Sequence, residues 1–239
     1  MQLRTKAIVL SSLKYGDTSL IVRAYTESDG LKAYLLKGIL ASRKGKLKTA
    51  YFQPLSQLDI VAIHKNKGTL EQIREARVDF HYTTMHTDIT KNAITLFLAE
   101  MLSNCIREEQ SDTALFSYLQ TALQWLDTHD QIANFHLYFL LSLTRFLGCY
   151  PDLSHIDAAY FDLQEGQFTD VPSGNKVIRG DELNQFRKLL GTNFDVVHLI
   201  QMSKVQRQQL LQNIVEYFEL HLHGFRKPRS LAVLNEVFN

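Results

Sequence analysis

The fold of this chain is decided by residues 6–38, KAIVLSSLKYGDTSLIVRAYTESDGLKAYLLKG, which contain three short runs rich in β-branched and aromatic residues. The runs are residues 6–10, 19–25 and 31–36, and the turn signals YGD and SDG separate them. Short runs of this composition between turn signals predict β-strands joined by tight turns. The chain therefore begins with an all-β segment.

Two further runs of the same kind, residues 55–63 and 69–78, bring the number of predicted strands to five. A long connection lies between the third and fourth strands. Five short strands with a long third connection are typical of the OB type of partly open barrel. We therefore expect a small OB-fold nucleic-acid-binding domain over residues 1–80.

From about residue 85 the apolar residues recur with a helical period of 3.6, which predicts a helical domain over residues 81–239. The predicted helices cover residues 94–105, 115–126, 132–147, 181–190 and 203–224, and a short one follows Ser230. Asp181 and Ser203 are the expected N-caps, and Ser203 with Gln206 has the form of a capping box. An irregular insertion at about residues 151–180 has room for a small hairpin at Gly166. The predicted fold class is α+β, with an N-terminal five-stranded OB-fold barrel followed by an all-helical domain.

The charge of the chain is divided between these two parts. Residues 1–77 contain 14 Lys and Arg against 6 Asp and Glu, whereas residues 78–239 contain 12 against 19, so a net charge of +1 conceals a cationic first part. The excess is greatest in residues 37–48, KGILASRKGKLK, which we call the basic segment. Its cations are Lys37, Arg43, Lys44, Lys46 and Lys48. A cluster without a carboxylate attracts polyanions.

Known catalytic and cofactor motifs are missing from the sequence. A P-loop needs a glycine five residues before the Gly-Lys pair and Ser or Thr after it, but Leu40 and Leu47 flank Gly45-Lys46 in those positions. The patterns GxSxG, HExxH and GxGxxG do not occur, and Cys105 and Cys149 do not form a zinc pair. We therefore expect no catalytic residue, no metal and no cofactor. No apolar run reaches the roughly 18 residues that cross a membrane, and we expect a soluble cytoplasmic protein.

Aromatic residues near the basic segment favour nucleic acid as the polyanion. These residues are Tyr15, Tyr25, Tyr34, Tyr51 and Phe52. Binding of single strands without sequence preference requires cationic side chains that contact the phosphates and aromatic rings that stack on the bases, since every base has a π-face. A second cationic cluster holds Arg226, Lys227 and Arg229. It caps the preceding helix, extends the nucleic-acid path, or receives the acidic tail of a partner protein.

Three segments resemble the RecO recombination mediators of bacterial DNA repair. Residues 6–55 are similar to the OB domain of that family. Residues 147–153, LGCYPDL, are similar to the segment that closes its central helical part. Residues 224–231, GFRKPRSL, are similar to its C-terminal signature. One departure concerns zinc. Many members carry four zinc-binding cysteines after the segment matched by residues 150–153, and this chain has none there. Packing of Tyr160, Phe161 and Phe168 would then stabilise this region.

The resemblance implies a non-enzymatic protein that binds single- and double-stranded DNA and anneals complementary strands. It also implies cooperation with RecR and the single-stranded-DNA-binding protein to load the RecA recombinase. The expected DNA-binding residues are the five cations of the basic segment, Tyr34, Arg226, Lys227 and Arg229. Weaker candidates for binding a protein tail are the helix cations Arg145, Arg187, Lys188 and Arg207.

Two alternatives stay open from the sequence. One is an RNA-binding OB-fold protein in translation or tRNA handling, because cations and aromatic faces do not distinguish DNA from RNA. The other is an enzyme with a site in the helical half, which is disfavoured because no pair of titratable residues stands out.

Overall fold

A computed structural model of the chain describes residues 1–41, 47–65, 70–107 and 110–237. The strands are β1 Gln2–Tyr15, β2 Ser19–Thr26, β3 Gly30–Leu36, β4 Gln57–Ile63, β5 Gln72–Phe80, β6 Tyr160–Asp162, β7 Gln167–Thr169 and β8 Val177–Arg179. The α-helices are α1 Ile89–Cys105, α2 Thr113–Thr128, α3 Phe135–Phe146, α4 Gly180–Leu190, α5 Lys204–His221 and α6 Ser230–Val237. Short 3-10 helices occupy Thr49–Phe52 and Val197–Leu199.

The chain separates into two compact units, Met1–Thr128 and His129–Asn239. The first unit thus contains the five-stranded sheet together with α1 and α2. The domain boundary predicted at residue 80 lies inside this unit, at the end of β5, and it stays a prediction.

The five strands of the first unit form a closed barrel. Antiparallel pairing gives the order β3-β2-β1-β4-β5, and a parallel bridge between Tyr34 and Glu71 joins the two outer strands. The backbone N–H of Leu35 donates to the carbonyl oxygen of Glu71 at 3.0 Å, and the N–H of Glu71 donates to that of Ala33 at 2.8 Å. Five strands closed in this order have the OB topology that the sequence predicts.

The apolar run at the centre of β1 is continuous because both of its faces are buried. Ala7 and Val9 point into the barrel core, and Ile8 and Leu10 are equally inaccessible to solvent on the other face. Helix α1 packs against β1 there, with the Ser103 hydroxyl donating to the carbonyl oxygen of Leu10 at 3.3 Å. A strand buried on both faces loses the alternation of polar and apolar residues.

A buried carboxylate links the start of α1 to the end of α2. Asp127 is 2% exposed, and its oxygens accept hydrogen bonds from the backbone N–H groups of Thr83, Thr84 and Met85 at 2.8 to 3.1 Å. The ammonium of the buried Lys91 donates to the carbonyl oxygen of Asp127 at 2.8 Å. Burial opposes the charge on Asp127, but the backbone donors outweigh it and hold the pKa of this carboxyl below its usual value.

The second unit packs helices α3, α4 and α5 together with a small antiparallel sheet of order β7-β6-β8. The predicted hairpin at Gly166 is the β6–β7 pair, and the residue has a φ of 69°. Strand β8 was not predicted. The Ser203 capping box is present at the start of α5. The prediction that Asp181 is the N-cap of α4 was wrong. Arg179 occupies the N-cap position, and Asp181 lies in the first turn of the helix.

The segment that follows residues 150–153, in which the sequence has no cysteine, is held by aromatic packing. Phe161 and Phe168 are fully buried with their ring centres 4.9 Å apart, and Phe186 of α4 lies 4.7 Å from Phe161. Tyr160 is half-buried. Asp162 ties the strands to their loops by accepting backbone N–H bonds from Gln164, Glu165 and Ser173 at 2.8 to 3.2 Å.

Among the described residues no helix has both the length and the apolar composition needed to cross a bilayer.

Candidate nucleic-acid interface

The two ends of the basic segment lie against the β1–β2 hairpin. Just after the segment begins, the backbone N–H of Leu40 donates to the carbonyl oxygen of Thr18 at 2.9 Å. Just after it ends, the carbonyl oxygen of Phe52 accepts from the Ser12 hydroxyl at 2.6 Å. These contacts place the described residues on either side, 37–41 and 47–52, beside the β1–β2 hairpin.

The described cations of the basic segment are exposed. Lys37 follows β3 directly, and Lys48 precedes the 3-10 helix Thr49–Phe52. The Lys48 ammonium lies 5.9 Å from the ring centre of Tyr51, which is half-buried. Arg43, Lys44 and Lys46 lie outside the described residues, so they stay predictions.

The structure contradicts the prediction that Tyr34 is exposed for DNA binding. Its side chain has no exposed surface and lies in the barrel core, with its hydroxyl 2.8 Å from Nε2 of His64. A ring enclosed in this way offers no face to a base. Tyr25 and Phe52 are buried as well. Tyr25 of β2 packs against Phe116 of α2 with ring centres 6.2 Å apart, and Phe52 at the end of the 3-10 helix belongs to the barrel core.

Two residues at the hairpin end have the opposite character. Leu13 is 63% exposed and Tyr15 is 56% exposed. Lys14 between them is also exposed. Leu13 and Lys14 were not predicted as site residues. Their position next to the YGD turn is the signal that indicates an exposed hairpin tip.

The C-terminal cations surround the end of α5. The Lys227 ammonium forms an ion pair with Glu219 of α5 at 3.0 Å, and Phe225 packs on Phe218 with ring centres 5.9 Å apart. Arg226 and Arg229 are exposed. The ion pair ties this cluster to the last turns of α5, and its three predicted roles stay predictions.

Two of the four predicted partner-binding cations serve internal contacts. The Arg187 guanidinium donates to the carbonyl oxygen of Ile156 at 2.5 Å and to that of Ala158. Arg207 donates to Oδ1 of Asn134 at 3.0 Å, and burial lowers the pKa of this guanidinium. Both side chains therefore hold loops in place.

The other two predicted cations remain accessible. Arg145 lies over the ring of Tyr150 at 4.4 Å and donates to its hydroxyl at 2.9 Å. Lys188 is exposed on α4. In the part of the chain that the structure describes, no three His, Cys, Asp or Glu side chains are grouped to hold a metal ion.

Comparison with known proteins identifies the family. The model of the Recombination protein O N terminal matches residues 1–80, and that of the Recombination protein O C terminal matches residues 86–231. A DNA repair protein RecO from Christiangramia forsetii is 50% identical over the whole of both chains. The chain belongs to the RecO family. Its similarity extends to RecO proteins of Flavobacterium johnsoniae, 48% identical over the full length of both chains, and Bacteroides fragilis, 41% identical over 99% of each.

Membership of the RecO family gives the protein a role in DNA repair and recombination. The N-terminal RecO model ends with β5, so it covers the barrel and the basic segment. The C-terminal RecO model begins before α1 and reaches into α6.

Proposed function

We propose that this RecO-family protein binds single- and double-stranded DNA and anneals complementary strands without an enzymatic step. Acting in the cytoplasm, it works with RecR and the single-stranded-DNA-binding protein to load the RecA recombinase. The observation that carries the proposal is the position of Lys37 and Lys48, which are exposed at the two described ends of a carboxylate-free basic segment. The chain beside each of them is bonded to the β1–β2 hairpin of an OB barrel.

Annealing needs no catalytic group. Two strands repel each other through their phosphates, and bound cations screen this repulsion while they release condensed counterions. The cations of the basic segment supply such charge. A single bound strand remains free to pair because phosphate contacts leave the base edges accessible.

Strand annealing is the decisive measurement. Purified protein is mixed with complementary oligonucleotides in the absence of ATP, and pairing is followed by loss of donor fluorescence over a range of salt concentrations. We expect faster pairing and binding that weakens steeply with salt. Absent binding, or binding that ignores salt, would contradict the proposal. Stronger binding to a matched RNA than to DNA would favour a role in RNA handling instead.

The basic segment is tested by Lys44→Glu combined with Lys46→Glu. We expect lower DNA affinity with nearly unchanged thermal stability. Unfolding of the variant would mean that these lysines are structural.

Partner binding is tested with DNA already covered by single-stranded-DNA-binding protein. We expect annealing to persist on the covered strand and Lys188→Glu, at an exposed site on α4, to weaken it there while bare DNA anneals normally. Equal annealing by this variant and the unchanged protein on covered DNA would exclude Lys188 as a partner contact.

A further inference from the structure

The outward face of the β1–β2 hairpin carries two exposed side chains with apolar surface, Leu13 and Tyr15. On β2, Leu20 and Val22 point into the core, and they pair with Lys14 and Ser12 of β1. Side chains alternate between the two faces of a strand. Leu13 and Tyr15 therefore point away from the core.

This face continues across the neighbouring strands. Leu13 pairs with Ile21 of β2, and Ile21 pairs with Leu35 of β3; both partners are half-buried. Lys37 comes two residues after Leu35 and is exposed, so it adds a cation at the same edge. We call Leu13, Tyr15, Ile21, Leu35 and Lys37 the hairpin face.

The hairpin face is held in a fixed shape. Antiparallel pairing continues without interruption from Ser11–Arg23 to Tyr15–Ser19, and the backbone N–H of Gly38 donates to the Ser19 hydroxyl at 3.3 Å. The exposed ring of Tyr15 therefore stands on a rigid support. A pre-organised contact loses little conformational entropy when a ligand binds.

The surrounding charge indicates what covers this apolar surface. Residues 1–26 contain one acidic residue, Asp17, and residues 30–58 contain none. Apolar and aromatic side chains inside a cationic surface fit a ligand that has flat apolar faces and negative charges. Single-stranded nucleic acid has both, whereas a duplex hides its base faces by stacking.

We propose that the hairpin face binds unpaired bases, with Tyr15 stacking on one base, Leu13 packing beside it and Lys37 meeting a phosphate. The proposal rests on the DNA binding proposed above and adds a contact that distinguishes single strands from duplex. Tyr15 takes the role that the sequence assigned to the buried Tyr34.

The first test uses the unchanged protein. Its affinity is measured for an oligonucleotide and for the same oligonucleotide with abasic sites, which keep the phosphates but lack the bases. One lost stacking contact is expected to weaken binding about 5-fold or more. Equal affinity for the two oligonucleotides would overturn the proposal while leaving phosphate binding intact.

The second test assigns this loss to Tyr15. Tyr15→Ala is expected to bind the normal single strand about 5-fold or more weakly, to bind duplex normally, and to show a smaller difference between normal and abasic strands. Tyr15→Phe keeps the ring and should retain single-strand affinity. Leu13→Ala provides a second variant at the same face, and Val171→Ala changes an exposed apolar side chain of the second unit as the control.

The outcomes separate the two proposals. If the unchanged protein binds no DNA, the proposed function fails. If it binds DNA and Tyr15→Ala either has no effect or weakens single strand and duplex equally, the hairpin face is not a base-binding site although the protein still binds DNA.

Discussion

The hydroxyl of Tyr34 lies 2.8 Å from Nε2 of His64 inside the barrel, beside the bridge that joins β3 to β5. Asp29 approaches the other ring nitrogen of His64, with Oδ2 3.3 Å from Nδ1. Burial lowers the pKa of His64, and the carboxylates of Asp29 and Glu71 oppose this shift. The side-chain contact therefore joins β3 to the residue that follows β4, next to the backbone bridge between Tyr34 and Glu71.

Tyr34→Phe is expected to lower the free energy of unfolding by roughly 1–3 kcal/mol, because it leaves a buried nitrogen of His64 without its partner. Urea unfolding measures this loss. Tyr15→Phe, which removes an exposed hydroxyl, is the matched control and should change stability by less than about 0.5 kcal/mol. Normal stability together with lost DNA affinity in Tyr34→Phe would return Tyr34 to the binding surface.

Asp127→Asn is expected to destabilise the protein by roughly 2–4 kcal/mol. The backbone N–H donors share two carboxylate oxygens of Asp127, whereas the amide of Asn has only one acceptor oxygen. The lowered pKa of Asp127 means that the carboxylate stabilises the fold above its unfolded pKa, and that this contribution disappears as pH falls through the folded value. The exposed Asp17→Asn serves as control in the same urea experiment. Equal stability of the two variants would show that the carboxylate is dispensable.

His136 is expected to make the protein less stable in mild acid. Its side chain is 1% exposed, and burial, with a smaller effect of Arg207, lowers its pKa to about 3. The unfolded state takes up a proton near pH 6.5 and the folded state does not, so this contribution is fully present above pH 6.5 and is lost as pH falls toward 3.

The slope of unfolding free energy against pH measures the effect, with a maximum of about 1.4 kcal/mol per pH unit from one proton. His136→Gln should flatten the profile between pH 6 and 4, whereas the exposed His81→Gln should leave its shape unchanged. An unaltered slope in His136→Gln would show that this side chain is not protected from protons.

Lys37→Glu and Lys48→Glu are each expected to weaken binding to both single strands and duplex, and to reduce the slope of log affinity against log salt by about 0.7–0.9 per lost phosphate contact. Lys65→Glu is the matched control, because Lys65 is exposed and follows β4, whose end pairs with the start of β1 far from the hairpin. If Lys65→Glu weakened binding as much, net charge and not position would control affinity.

Most of the fold could be predicted from periodicity. The five strands of the barrel and the six helices follow from patterns of two and 3.6 residues, although the strands extend beyond the apolar runs, as in β1. The strand β8 escaped prediction because three residues are too few to show an alternation.

Individual side chains of the site were less predictable. Tyr15, Tyr25 and Tyr34 were all predicted as aromatic faces near the basic segment, yet of these three only Tyr15 is exposed. Arg187 and Lys188 are adjacent in sequence, but Arg187 binds loop carbonyls and Lys188 faces solvent. Exposure depends on which face of an element is covered, and the cover comes from residues distant in the chain.

The sequence by itself determined the order of strands and helices, the excess of positive charge in residues 37–48 and the family, because these depend on local composition and on residue order. Only the tertiary structure decided that Tyr34 closes the barrel core while Tyr15 stands exposed at the hairpin. Closure of the sheet through Glu71 encloses one ring, whereas the other belongs to the last pair of β1 and β2, Tyr15–Ser19, and is 56% exposed among the described residues.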